Sequence, residues 1–138
     1  MAPGSARGQI PAMVPLVRAA VLFMVTALTL YSIGVWGERW TAYLEPWHVA
    51  LFWLGFVCDT AGTEMMRRLA GGFQLNLHSL TGALALLLML GHAVWATAVL
   101  RRHDERARAT FHRVSVLVWC VWLVPFITGA IIGRRLGR

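Results

Sequence analysis

The fold is organised around the stretch Phe73–Leu100, which reads FQLNLHSLTGALALLLMLGHAVWATAVL. It contains no Asp, Glu, Lys or Arg. It is long enough to cross a bilayer as a helix, because ~20 residues at ~1.5 Å rise span a hydrocarbon layer of ~30 Å. Its two histidines, His78 and His92, are fourteen residues apart, which places them on nearly the same helical face about 21 Å apart along the axis. The stretch therefore predicts a membrane-spanning helix with one imidazole near each end.

The composition of the whole chain agrees with a membrane location. Of its 138 residues, 58% are hydrophobic and 14% are charged, whereas a soluble domain has about 25% charged residues. The apolar runs predict an all-α fold, a four-helix transmembrane bundle with up-down-up-down topology over residues 16–133. The four helices are expected at about 16–36, 46–69, 74–101 and 108–133. Prolines and glycines in residues 1–15 predict a disordered tail, and residues 134–138 predict a basic tail.

The net charge of +7 comes from arginine, since the chain contains no lysine. The arginines lie at the termini and in the predicted loops, where they contact lipid headgroups. Their position argues against nucleic acid as a partner. Their even distribution between the two ends of the bundle does not decide the orientation. We expect a multi-pass protein of the cell membrane, and we expect the first helix to be retained because its apolar run is too long for a signal peptide.

The second predicted helix carries its unusual residues on one face, at alternating spacings of four and three: His48, Phe52, Gly55, Asp59, Gly62 and Met66. Asp59 falls near the middle of the membrane. An ionised carboxylate costs several kcal/mol there, so the side chain should face the bundle interior. Two roles are open for Asp59: proton handling or cofactor contact, and a structural hydrogen bond.

The hairpin turns set the relative depths of the histidines. A turn near residue 102 places His92 level with His112 on the facing helix. Two neutral imidazoles at one depth are what a six-coordinate haem iron needs, so these residues are the predicted axial ligands of a haem b. His48 is predicted to replace one of them, or to contact a haem propionate or a quinone. Alternatively, each histidine only hydrogen-bonds a neighbouring carbonyl or hydroxyl.

A turn near residue 72 places Met66 level with His78. The possible partners of His78 are Met66, Met65 or Glu64. A histidine and a methionine at one depth predict a second metal site, suited to haem or to copper.

Ordered motifs along the chain resemble a known family. They are Tyr31-Ser-Ile-Gly-Val-Trp-Gly-Glu-Arg39, Trp47-His48, Leu51-Phe-Trp-Leu-Gly-Phe-Val-Cys-Asp59-Thr60-x-Gly62-Thr63, Phe73-x-Leu-Asn76-Leu-His78, Thr81-Gly82, Leu88-Met89-x-x-His92-Ala-x-Trp95-Ala96, Phe111-His112-Arg-x-Ser115 and Trp119-x-x-Trp122-Leu-x-Pro125-Phe126. Over about residues 16–133 the chain resembles the HsmA-like small four-helix membrane proteins. The resemblance implies a four-helix integral membrane fold, and it draws attention to Asp59 and to four histidines, His48, His78, His92 and His112.

The spacing of His78 and His92 also resembles, more distantly, membrane b-type cytochromes that hold two haems in a four-helix core. The chain departs from that pattern, because the fourth helix has one histidine only and neither position 98 nor position 126 is a histidine. This departure argues against a second bis-histidine haem.

Three functions follow as expectations. The first is a membrane b-type haem protein that carries electrons between a quinone-like donor and a redox partner at the opposite rim. The second is a carrier or binding protein for a metal ion or small lipophile, using His48, Asp59, Met66 and His78. The third is an accessory subunit whose helix faces bind another membrane protein or form a homo-oligomer.

Overall fold

The structure, a computed structural model, describes residues 5–136. The chain forms four α-helices in the order α1 (Ser5–Thr41), α2 (Pro46–Leu69), α3 (Leu77–Arg101) and α4 (Glu105–Leu136). Short connections make successive helices antiparallel, which confirms the predicted all-α, up-down-up-down bundle.

Capping residues determine where the helices begin. Helix α2 has the predicted bounds, with Pro46 at its start. Helix α3 begins three residues later than predicted, because the side chain of Asn76 accepts a hydrogen bond from the Ser79 N–H at 2.8 Å. Helix α4 begins three residues earlier than predicted, where the carboxylate of Asp104 accepts from the Ala107 N–H at 3.0 Å.

The predicted tails are largely helical. Residues 5–15 belong to α1, so the prediction of a disordered tail is wrong for them, and residues 1–4 lie outside the described range. Pro11 and Pro15 sit inside α1. Each removes one helical hydrogen bond, but the fixed φ of proline is itself helical. The predicted basic tail is also part of a helix as far as residue 136, since Arg134 and Arg135 in the last turn of α4 complement its dipole.

Three of the helices within residues 5–136 are long and apolar enough to cross a membrane, over Pro11–Thr41, Leu77–Arg101 and Glu105–Arg135. Helix α2 is 24 residues long but is not among these three. Its Asp59 is buried. Its Glu64 pairs with Arg67 at 2.7 Å and with Arg68 at 2.8 Å.

Most residues of the predicted inward faces are buried. On α3, Ala85, Met89 and His92 are at most 7% exposed, whereas His78 is exposed. Helix α2 turns its unusual face inward from His48 to Gly62. Helices α1 and α2 are in close contact at Gly55, where an added Cβ would lie 2.6 Å from the ring of Tyr31. The bundle interior therefore depends on a small residue opposite a large aromatic one.

At one end of the bundle, the α1–α2 connection is hydrogen-bonded to the start of α4. The Leu44 N–H donates to the Arg108 carbonyl at 3.1 Å, and the Arg108 Nε–H donates back to the Leu44 carbonyl at 3.0 Å. The Tyr43 hydroxyl donates to the Glu105 carboxylate, and this hydrogen bond raises the pKa of the Tyr43 phenol. These contacts place the α1–α2 connection beside the start of α4.

Candidate functional site

Asp59 is the buried acidic group at the centre of one site. It is 3% exposed. Its Oδ2 accepts hydrogen bonds from the Trp122 Nε1–H at 2.9 Å and from the Tyr31 hydroxyl at 3.3 Å. The two aromatic rings meet edge to face, with centroids 5.0 Å apart. Helices α1, α2 and α4 thus converge on one carboxylate, and the predicted inward direction of Asp59 is confirmed.

A cavity of about 320 Å³ extends from Asp59 towards the α2–α3 connection. Its wall is mostly apolar and includes a few polar or polarisable side chains: Asp59, Thr63, Met66, Arg67, His78 and Ser79. Such a volume and lining are typical of sites for small molecules. Three predicted site residues, Asp59, Met66 and His78, are therefore brought around one cavity.

His78 lies in the first turn of α3, at the side of the cavity near the loop. Its ring lies against α4 at Gly129, where an added Cβ would be 2.8 Å from the imidazole Cε1. The absence of a side chain at Gly129 is what allows the imidazole to approach α4 so closely. Sequence reasoning placed His78 by depth but did not identify this contact.

A second polar cluster lies nearer the other end of the bundle. Glu38 and Ser115 are 0% exposed, and His92 is 4% exposed. The Ser115 hydroxyl donates to Glu38 Oε2 at 2.6 Å and lies 3.3 Å from His92 Nε2. Among the described residues, Glu38 Oε1 and His92 Nδ1 are buried without a hydrogen-bond partner. Ser115 therefore links Glu38 to His92, and each of these two outer residues keeps one atom without a hydrogen-bond partner.

Aromatic rings surround the imidazole of His92. The centroids of Phe52 and Phe111 lie 4.8 Å and 5.1 Å from it. His112 is half-buried on α4, one turn before Ser115, and its Nδ1 is also buried without a partner in the described structure. On α4, His92 thus contacts Ser115 and Phe111. Shared ligation of one iron by His92 and His112 stays a prediction.

His48 lies in the first turn of α2, at the opposite end of that helix from the cavity. Its Nδ1 accepts from the Glu45 N–H at 2.9 Å, which completes a capping box. Its Nε2 points towards Gly37, is buried and has no partner among the described residues. The structure therefore assigns His48 a capping role and does not place it with Asp59 and His78.

Across residues 5–136, no group of three or more His, Cys, Asp or Glu side chains could bind a metal ion. Met66 and His78 share the cavity wall with Asp59, but these residues do not form such a group. Cys58 and Cys120 are free thiols, half-buried and exposed respectively.

Several residues of the two clusters were not identified as site residues from the sequence. Glu38 was assigned to a loop, because the predicted end of the first helix was residue 36, whereas α1 continues to Thr41. Tyr31 precedes Glu38 by seven residues, so the two residues share one face of the helix. This spacing could have indicated that both side chains point into the bundle. The hydrogen bond from Trp122 to Asp59 joins residues that are far apart in the chain and depends on tertiary packing.

Comparison with family models, curated proteins and solved structures finds no match to this chain. Function is therefore inferred from geometry and chemistry.

Proposed function

We propose that the chain is a multi-pass integral protein of the cell membrane whose Asp59 cavity binds a small lipid-soluble molecule of the quinone class. One observation carries the proposal: a buried carboxylate, held by Tyr31 and Trp122, lies in the wall of an otherwise mostly apolar cavity. A ligand of this class combines an apolar body with polar oxygens, and that combination matches the lining.

The aromatic part of the wall suits a flat ring. Trp122 and Phe126 both line the cavity, with ring centroids 5.3 Å apart. Ring systems are favoured beside other aromatic rings in offset or edge-to-face arrangements. Arg67 and His78 lie towards the loop, where they donate hydrogen bonds to a second oxygen of the ligand.

Asp59 is the group that exchanges a proton with the ligand. Quinol oxidation releases protons together with electrons, so a quinol site needs a nearby base. Both aromatic donors bind Oδ2, and in this proposal Oδ1 accepts one of the two hydroxyl protons of the bound quinol. The redox partner of the protein, a two-electron acceptor, takes both electrons and the second proton as the quinol becomes a quinone.

The test fills the cavity without disturbing the helices. Gly82 lines the cavity, and a Cβ added there would meet nothing within 4 Å. We expect Gly82→Leu in nanodiscs to weaken binding of decylubiquinone by about tenfold or more, which corresponds to ~1.4 kcal/mol, as measured by calorimetry. Gly91→Leu is the matched control, because Gly91 is on the same helix, equally unobstructed and outside the cavity. A wild-type protein that does not bind decylubiquinone contradicts the proposal.

We also propose haem b as a second candidate cofactor, supported by the imidazole nitrogens of His48, His92 and His112 that are buried without partners. Neutral imidazole nitrogen is the usual axial donor to haem iron, so the donor chemistry fits. His92 and His112 would hold the group, and haem bound there supplies one-electron transfer.

Optical spectra test this candidate. Protein purified from haem-replete cells should show a Soret shift and an α-band on dithionite reduction, and His92→Ala should abolish both. A colourless wild-type preparation contradicts haem binding.

The remaining interpretations stay predictions. They are membership of the HsmA-like family, copper or another metal at Met66 and His78, a role as an accessory subunit, and a homo-oligomer. Elemental analysis of the purified protein separates a metal carrier from a quinone-binding protein, because bound copper or zinc without iron would favour the carrier.

A further inference from the structure

The connection between α2 and α3 exposes large apolar side chains. Phe73 is 57% exposed, Leu75 is 92% exposed, and Leu77 at the start of α3 is 78% exposed. The connection between α3 and α4 has the opposite character, since its exposed residues are Arg102, His103 and Asp104. The two ends of the bundle therefore present different surfaces to their surroundings.

The apolar surface of the α2–α3 connection continues onto α3. Leu77, Leu80, Leu84 and Leu87 recur at spacings of three and four, and each is more than half exposed. This helix is long and apolar enough to cross a membrane, so its outer face contacts acyl chains. Because the loop extends the same face, acyl chains and headgroups are what cover the loop as well.

Basic side chains flank the same loop. The side chains of Arg67 and Arg68 at the end of α2 are 47% and 69% exposed. Both arginines pair with the single carboxylate of Glu64, so the three side chains together keep one net positive charge beside the apolar segment, suited to the phosphates of lipid headgroups. An apolar loop with adjacent cations thus matches the boundary between headgroups and acyl chains.

The loop also forms part of the cavity wall. Gly72 and Phe73 line the cavity, next to Ala70 and Ser79. The backbone at Gly71 has φ +77°, and a Cβ added there would meet nothing within 4 Å. The loop therefore forms one side of the cavity, and a Cβ added at Gly72 would also meet nothing within 4 Å.

We infer that residues 70–77 lie in the membrane interface and form the route by which the cavity exchanges its ligand with the bilayer. The location of the loop is independent of what the cavity binds. The exchange route rests on the proposed function and names the lipid phase as the source of the ligand.

A spin-label experiment tests the location. Leu75→Cys and His103→Cys are each labelled with a nitroxide in a Cys58→Ser, Cys120→Ser background and placed in phosphatidylcholine nanodiscs. We expect the ratio of relaxation by oxygen to relaxation by a nickel chelate to be several-fold higher at residue 75 than at residue 103, because oxygen concentrates in lipid. Equal ratios, or a higher ratio at residue 103, overturn the interfacial location.

A kinetic experiment tests the route. Leu75 is not in the cavity wall, so Leu75→Asp should slow both the association and the dissociation of decylubiquinone in phosphatidylcholine vesicles several-fold and leave its affinity unchanged. His103→Asp is the control and should leave both rates unchanged. Wild-type rates in Leu75→Asp overturn the route. A wild-type protein that binds no decylubiquinone overturns the proposed function and the route together, while the spin-label result for the location stands.

Discussion

At the scale of single residues, the two buried carboxylates have different surroundings. Asp59 accepts from two aromatic donors, Tyr31 and Trp122, and lies in the wall of a cavity. Glu38 accepts from one hydroxyl, that of Ser115, and keeps one oxygen without a partner. Loss of a donor would leave a buried carboxylate oxygen without a hydrogen-bond partner, which lowers the free energy of unfolding. The donors to both carboxylates should therefore stabilise the fold.

Substitutions at Asp59 should separate its structural role from its proton chemistry. Asparagine keeps an oxygen for both aromatic donors, whereas alanine leaves the Tyr31 hydroxyl and the Trp122 N–H unpaired. We expect Asp59→Ala to lower the free energy of unfolding by about 2–5 kcal/mol, since each unpaired buried group costs ~1–3 kcal/mol, and Asp59→Asn to lower it less. Denaturation in mixed micelles measures this. Equal losses in the two variants would show that the aromatic donors do not need an acceptor.

We expect the Ser115 hydroxyl to stabilise the fold as well. Ser115→Ala removes the hydroxyl that contacts both Glu38 and His92, so we expect a loss of about 1–3 kcal/mol. Thr60→Val removes a hydroxyl that is exposed and bonded within its own helix, and it should change stability by less than about 0.5 kcal/mol. The same denaturation measurement compares the two, and a loss no larger in Ser115→Ala would contradict the importance of the cluster.

At the scale of helices, the polar groups form two layers. Tyr31 and Glu38 are seven residues apart on α1, as are Ser115 and Trp122 on α4. Seven residues correspond to about 10.5 Å along a helix. Because α1 and α4 run antiparallel, Tyr31 meets Trp122 in one layer while Glu38 meets Ser115 in the other.

The close approach of α1 and α2 should be sensitive to volume at Gly55. A Cβ there would lie 2.6 Å from the Tyr31 ring, so Gly55→Ala must displace that ring and weaken its bond to Asp59. We expect a loss of about 1–3 kcal/mol, as for overpacking elsewhere. Gly91→Ala meets no neighbour and should be neutral or stabilise the helix by up to about 1 kcal/mol. Thermal unfolding of both variants in detergent checks the contrast, and an unchanged Gly55→Ala would mean that the ring has room to move.

At the scale of the whole molecule, the bundle has two unlike ends. One end carries the polar α3–α4 connection and the hydrogen bonds between Leu44 and Arg108. The other end carries the cavity and the apolar loop after α2. The cavity therefore lies at the end of the bundle that exposes the apolar loop.

The membrane topology should follow from the contact between the α1–α2 connection and the start of α4. Because Leu44 is hydrogen-bonded to Arg108, the loops at residues 42 and 103 must lie on the same side of the membrane, with residue 68 on the other side. We expect a membrane-impermeant maleimide to label Ala42→Cys and His103→Cys from one side and Arg68→Cys from the other, in a Cys58→Ser, Cys120→Ser background. Labelling of residues 42 and 103 from opposite sides would show that α2 does not cross the membrane.

The four helices, their order and most of their inward faces could be predicted from the sequence, because helix formation and the 3.6-residue period are local properties. The interior position of Asp59 could be predicted for the same reason. Three features could be seen only in the folded bundle: the contacts of Ser115 with Glu38 and His92, the cavity that Met66 and His78 share with Asp59, and the position of Gly129 beside an imidazole. Those contacts depend on how far each helix extends, how it is rotated and which side chains leave space, and all three are set by packing between residues far apart in the chain.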